Sequence, residues 1–216
     1  MPSEFCAVIF DFGGVITASP FDAFARYEAE HGLPANIIRR INAADPDANA
    51  WARFERSEID ADAFDAQFAA EAAALGVDMP GRDVLALLAG DIRPRMVAAL
   101  DSLAAAGFRL GCITNNVKSG QGAGMALSPA KAAAVAAVMA RFEHVIESST
   151  AGVRKPDPAI YVMMLDALGV EAARCIYLDD LGINCKPAAT LGMTAIKVSG
   201  EDQALADLSR LTGLPF

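Results

Sequence analysis

Four short segments hold the side chains best suited to chemistry. Asp11 opens Asp11-Phe12-Gly13-Gly14-Val15 directly after an apolar run, and Thr114 and Asn115 close a second such run. Lys155 stands in Val153-Arg154-Lys155-Pro156-Asp157-Pro158, and Asp179 and Asp180 begin Asp179-Asp180-Leu181-Gly182-Ile183-Asn184. Taken singly, each is also what a turn or a helix start looks like: Asp and Gly are ordinary turn residues, and paired acids suit a helix dipole. Together they form a set. Three carboxylates brought to one point repel and raise one another's pKa unless a cation lies among them. Hard oxygen ligands in a chain with 2 histidines suit Mg²⁺, and His31 and His144 read as surface or internally satisfied residues. A nucleophilic carboxylate, a divalent cation, a lysine and hydroxyl or amide donors are the parts that phosphoryl transfer requires.

These residues need a scaffold that converges on one place, and the hydrophobic pattern supplies one. Short runs rich in β-branched residues at 7–10, 109–113, 144–146, 175–178 and 194–198 predict strands. Between the later ones, helical patterns cover 94–106, 129–141, 158–168, 184–191 and 204–212. Pro94, Pro129 and Pro158 fall where a first helical turn tolerates proline, and Gly107, Gly169 and Gly192 fall at helix stops. Near-continuous apolar strands alternating with helices predict an α/β fold, a doubly wound parallel sheet covered on both faces. All four segments then sit at strand C-termini, where such a sheet opens its ligand crevice.

One stretch breaks the alternation. Residues 20–31, 34–43, 48–56, 61–75 and 81–89 all read as helices, too many for a simple crossover. In one of them Phe64, Phe68, Ala72 and Leu75 share a face. The division expected is a Rossmann-like core of residues 1–16 and 91–216, with a small all-helical cap, 17–90, inserted after strand one and seated over the strand ends. Arg26, Tyr27, Trp51, Arg53, Phe54 and Arg56 are the cap residues that could reach substrate, with Trp51 and Phe54 assigned to the cap's own core. The stretch Gln121-Gly122-Ala123-Gly124, beside Lys118 and Ser119, reads as a flexible connection after the second strand.

The four segments, in this order and around a helical insert, resemble the haloacid dehalogenase superfamily of aspartate-nucleophile hydrolases. The intervals agree: 103 residues from Asp11 to Thr114, 40 from Asn115 to Lys155 and 24 from Lys155 to Asp179. Phe10 to Val15, Ile146-Glu147-Ser148-Ser149, the run from Tyr177 to Pro187 and the tail from Leu208 to Phe216 resemble the N-terminal phosphatase domain of soluble epoxide hydrolases and related bacterial phosphatases. The resemblance implies that Asp11 attacks phosphorus and forms an aspartyl-phosphate that water hydrolyses. It implies Mg²⁺ held by Asp11, the Gly13 backbone carbonyl and Asp180, with Asp179 and Asn184 acting through water. It assigns Thr114, the Asn115 backbone and Lys155 to the phosphoryl oxygens, Lys155 also keeping Asp11 ionised.

One position departs from the pattern. Many phosphatases of this superfamily carry a second Asp two residues after the nucleophile as general acid and base, and here that position is Gly13. A positioned acid or base contributes typically about 10²–10⁴ in rate. The departure leaves open slow turnover, a substrate with a good leaving group, a stand-in acid from the cap, or a catalytically silent binding protein. A 2-haloacid dehalogenase is the other enzyme reading, disfavoured by the Asp179-Asp180 pair. The function expected is a Mg²⁺-dependent phosphomonoester hydrolase acting on a small phosphorylated metabolite.

Composition bounds the rest. At 216 residues with 54% hydrophobic content and no repeat, the chain is neither disordered nor fibrous and fits one domain with an insertion. With 27 acids against 18 bases, the net charge of −9 argues against nucleic acid or an anionic membrane as partner. The start, Met1-Pro2-Ser3-Glu4, lacks a basic n-region, and the longest uncharged apolar stretch, 132–140, is far too short to span a bilayer. Cysteines 6, 112, 175 and 185 have no CxxC spacing and read as reduced thiols. A cytoplasmic monomer or homodimer is expected.

Overall fold

The computed structural model describes residues 4–88, 90–116 and 128–216; the connection read at 121–124 lies outside them. Five strands, β1 (Ala7–Phe10), β2 (Arg109–Thr114), β3 (His144–Glu147), β4 (Cys175–Asp179) and β5 (Thr194–Lys197), form one sheet in the order β3-β2-β1-β4-β5. Every pairing is parallel. Strands β1 and β4 are buried at every residue, which is why they read as unbroken apolar runs rather than alternating ones.

The helices are α1 (Pro20–Glu30), α2 (Ile37–Ala44), α3 (Ala50–Glu55), α4 (Ala61–Ala74), α5 (Gly81–Ala86), α6 (Pro94–Ala105), α7 (Pro129–Met139), α8 (Ser148–Ala151), α9 (Pro158–Leu168), α10 (Gly182–Thr190) and α11 (Glu201–Thr212). Successive side chains of a strand face opposite ways, and the two faces of β1 show it. Val8 and Phe10 pack with Leu100, Val138 and Leu205 of α6, α7 and α11, while Ala7 and Ile9 pack with Tyr161, Met164 and Ala188 of α9 and α10. The predicted strand and helix starts are met within a few residues. Pro94, Pro129 and Pro158 open their helices, and Gly107, Gly169 and Gly192 end the preceding ones with positive φ. The four-residue helix α8 carries no hydrophobic period and was not expected.

Helices α1 to α5 enclose an apolar cluster of their own, distinct from those on the sheet faces. Phe64 is its centre, 4.9 Å from the ring of Phe54, 5.5 Å from Phe68 and 5.6 Å from Trp51. Leu75, expected on the face of Phe64, Phe68 and Ala72, is instead 39% exposed. It is the C-cap of α4, where the chain turns away at Gly76, so it lies past the last packed turn. Buried Glu28 accepts hydrogen bonds from the N–H groups of Asn36 and Ile38, satisfying the start of α2. The two chain passages between this helical group and the sheet run side by side: Ala18 N–H donates to Asp91 O at 2.8 Å and Arg93 N–H to Ile16 O at 2.9 Å. No helix among the described residues is long and apolar enough to cross a membrane. All four cysteines are free, with Cys112, Cys175 and Cys185 buried and Cys6 half-buried.

Candidate active site

Register places the acids. Phe10 pairs with Leu178 on one side and Cys112 on the other, so Asp11 and Asp179 emerge level at the C-terminal edge, with Thr114 at the end of β2. Asp11, Asp179 and Asp180 each offer a carboxylate oxygen within 4.8 Å of the other two. The chain after β1 makes a tight loop through Phe12–Ile16, where Gly14 has φ +76. A Cβ on Gly14 would meet Asp180 Oδ2 at 2.1 Å, so both the conformation and the approach of Asp180 demand glycine here. Gly13, by contrast, has ordinary backbone angles, and a Cβ there would meet nothing within 4 Å.

Lys155 binds the cluster together. It is 1% exposed, and its ammonium donates to Asp11 Oδ1 at 2.8 Å, Asp179 Oδ2 at 2.9 Å and Ile113 O at 3.0 Å. Burial works against its charge, yet Asp11 and Asp179 outweigh burial and hold its pKa above the usual lysine range. Burial pushes Asp11 well up, opposed by Lys155 and reinforced by Asp179. Asp180 rises to about 6, from burial first and Asp179 second; Ser19 Oγ donates to its Oδ2 at 3.1 Å. Asp179 is completely enclosed, and its oxygens also accept from the Tyr177 hydroxyl at 2.6 Å, Leu181 N–H at 2.8 Å and both-ways from Asn184 Nδ2 at 3.1 Å.

The three carboxylates and one ammonium leave an excess of two negative charges among hard oxygen donors at a cavity wall, which fits a hard divalent cation. Asp11 Oδ1 is taken by Lys155 and by the N–H of Phe12 at 2.6 Å, whereas its Oδ2 accepts no hydrogen bond among the described residues. Asn184, expected to serve a metal-bound water, turns its side-chain Nδ2 to Asp179, and Tyr161 OH donates to its backbone carbonyl. The Asn115 side chain clasps the Lys155 backbone, accepting from its N–H at 2.9 Å and donating to its O at 3.0 Å.

A cavity of about 540 Å³ opens over this edge. Asp11, Gly13, Thr114, Asn115, Lys155, Asp180 and Asn184 line its floor, so every residue expected at the site except buried Asp179 borders the same space. Helices α1 to α3 and the end of the insertion form the opposite wall, with Phe21, Phe24, Arg39, Trp51, Glu55 and Leu88. Of the helical-insert residues proposed to reach it, only Trp51 does. Arg26, Tyr27, Arg53 and Phe54 do not line it: Phe54 is core, and the Tyr27 hydroxyl donates to Asp83. Arg56 borders a separate cleft.

The sequence reading missed Glu55. This acid is 5% exposed and pairs with Arg154 Nε at 2.6 Å, while Trp51 Nε1 donates to it at 2.9 Å. Burial raises its pKa, with Arg154 opposing. Around it the insert grips the sheet: Ser148 Oγ donates to Glu55 O at 3.0 Å, Ser57 Oγ to Ser149 O at 2.9 Å and Arg154 Nη1 to Pro46 O at 3.0 Å. Nothing in the helical period of α3 marks Glu55: Trp51 is a neighbour on the same helix, and Arg154, the charged partner, is remote in sequence.

Comparison with known proteins agrees with this geometry. Over 215 residues, 97% of this chain, the sequence is 31% identical to mouse acyl-CoA dehydrogenase family member 10, of which that region is 19%. It is 37% identical over 121 residues to pig bifunctional epoxide hydrolase 2, covering 56% of this chain and 21% of that protein. The chain thus spans about a fifth of these two relatives. Phosphatase MT3486 of Mycobacterium tuberculosis is 32% identical over 125 residues, 56% of this chain and 52% of its own length. A predicted hydrolase of this fold from Porphyromonas gingivalis superposes with a TM-score of 0.63 at 19% identity, covering 97% of this chain and 98% of its own. The family pattern of haloacid dehalogenase-like hydrolases matches residues 6–192, and the chain belongs to that family of hydrolases.

Proposed function

We propose that the protein is a Mg²⁺-dependent phosphomonoester hydrolase that works through an aspartyl-phosphate on Asp11. The observation that carries this reading is Lys155, buried and bound to both Asp11 and Asp179 at the floor of the cavity. Its charge opposes the rise that burial gives the Asp11 pKa, and with Phe12 N–H it fixes Oδ1, leaving Oδ2 to attack phosphorus. Thr114, the Asn115 backbone and Lys155 bind the transferring phosphoryl oxygens, so positioning and charge do most of the work. Asp11, the Gly13 carbonyl and Asp180 would hold Mg²⁺, with Asp179 and Asn184 acting through water. When bound, the ion supplies positive charge against the phosphoryl oxygens and between the acids. The relative named as a phosphatase supports the same chemistry.

The test is hydrolysis of an aryl phosphate by purified protein with Mg²⁺, set against Asp11→Asn and against a chelator. The expected outcome is phosphate release that both controls abolish. Halide release from a 2-haloacid that ignores the chelator would replace this reading with dehalogenation. Binding of beryllofluoride with Mg²⁺, seen as a thermal shift without any turnover, would replace it with a silent binding protein.

A further inference from the structure

The cavity describes its substrate in two independent ways. The first concerns the leaving group. Gly13 provides no acid, and the space beside its Cα is empty of protein within 4 Å. Four acids line the cavity: Asp11, Asp47, Glu55 and Asp180. Asp11 is the nucleophile and Asp180 belongs to the metal set, while Asp47 is exposed to solvent. Glu55 has its oxygens committed within the protein, one ion-paired with Arg154 Nε at 2.6 Å and the other accepting from Trp51 Nε1 at 2.9 Å. The place two residues after the nucleophile therefore offers no acid to a departing alkoxide, and the cavity's other acids are committed elsewhere. A leaving oxygen that needs no proton, such as a phenolate of pKa about 10, departs without that help.

The second concerns the body of the substrate. The wall facing Asp11 presents Phe21, Phe24, Trp51 and Leu88, and Arg39 stacks its guanidinium 4.6 Å from the Phe21 ring centre. At the rim stands Ile183, 56% exposed, the most exposed large hydrophobic side chain among the described residues. A phosphate group alone leaves this apolar surface wet, and a volume of about 540 Å³ lies in the range of sites that enclose whole small molecules.

We propose that the substrate class is the phosphate monoester of an acidic hydroxyl on an apolar ring, an aryl phosphate. The proposal rests on the phosphatase reading and deepens it. Asp11 Oδ2 bonds to phosphorus as the P–O(aryl) bond breaks, and the bonding pair leaves on the phenolate, which takes a proton from solvent. Water then attacks phosphorus, the Asp11–P bond breaks, and the water proton passes to solvent, releasing inorganic phosphate.

Phenyl phosphate and benzyl phosphate test the leaving group, because they differ by one methylene in size but greatly in leaving-group acidity. The expected kcat/KM ratio is about 10² or more in favour of phenyl phosphate. Gly13→Asp, for which the structure has room, should shrink that ratio about tenfold by accelerating benzyl phosphate. The body is tested with 1-naphthyl phosphate against acetyl phosphate, which has a good leaving group but no ring. Naphthyl phosphate should show the lower KM, and Ile183→Ser should raise that KM more than the KM for acetyl phosphate. Equal rates for phenyl and benzyl esters, or a KM for acetyl phosphate as low as for the naphthyl ester, overturn the substrate class and leave the phosphatase reading standing. No hydrolysis of any of the four overturns both.

Discussion

Lys155 concentrates the energetics of the site in one side chain. Its ammonium meets three acceptors, two of them charged, at the floor of the cavity and with almost all of the side chain buried. Removing one member of such a buried group costs about 3–5 kcal/mol, because the remaining charges stay buried without compensation. Lys155→Met is therefore expected to lose about that much stability in urea titrations, together with hydrolysis of aryl phosphate. Gly14 carries a different constraint. Gly14→Ala would set a Cβ 2.1 Å from Asp180 Oδ2 in a left-handed conformation, and neither strain relaxes without moving Asp180. The expected result is a cost of about 1–3 kcal/mol with weakened Mg²⁺ protection in thermal melts. Gly13→Ala, two atoms of backbone away and unhindered, should show no such loss of stability, which separates the two glycines experimentally.

At the scale of elements, the helical insert has a cohesion of its own and a narrow hold on the sheet. Phe64 is fully buried and touches three other rings, so Phe64→Ala should cost about 3–5 kcal/mol, read by urea denaturation. Limited proteolysis of that variant should cut first within residues 20–88, since the sheet clusters do not include Phe64. The strands were legible within a residue or two because β1 and β4 are buried on both faces and so are apolar throughout. The long helices α6 and α9 announced themselves by period, proline and glycine. Helix α8 did not, since four residues of Ser-Ser-Thr-Ala contain no period; contacts with α3 and the β3 edge hold it. Leu75 failed for the converse reason: the period continued one residue beyond the helix that gave it meaning.

For the whole molecule, the net charge of −9 is compatible with an anionic substrate because the site carries its own cation, Lys155, and its three acids would seat a second. That arrangement sets a pH dependence. Asp180 has a folded pKa of about 6 against an ordinary value of 3.8. Below pH 4 it is protonated whether folded or not, and it costs nothing. As pH rises through 4 to 6 the unfolded chain ionises first, so the metal-free protein loses stability, by at most about 3 kcal/mol from this group. Asp11 and Glu55, both raised by burial, act with the same sign. In the presence of EDTA the melting temperature should therefore be higher near pH 5 than at pH 7, and Asp180→Asn should reduce the difference. Saturating Mg²⁺ should reverse it by favouring the ionised acids.

By itself, the sequence determined the parallel sheet, the helical insert and the convergence of Asp11, Thr114, Lys155, Asp179 and Asp180. Each follows from local information: apolar runs, helix punctuation, and the rule that parallel strands end at one crevice. Tertiary structure decided what these residues do to one another. That Lys155 binds both acids, that Asn184 serves Asp179, that Ser19 reaches Asp180 across 161 residues, and that Glu55 meets Arg154 all depend on distances which no pattern along the chain encodes. The same holds for the apolar wall opposite Asp11. In sequence Phe21, Phe24 and Trp51 are indistinguishable from the core residues of an amphipathic helix, and only packing leaves part of that surface facing a cavity instead of another helix.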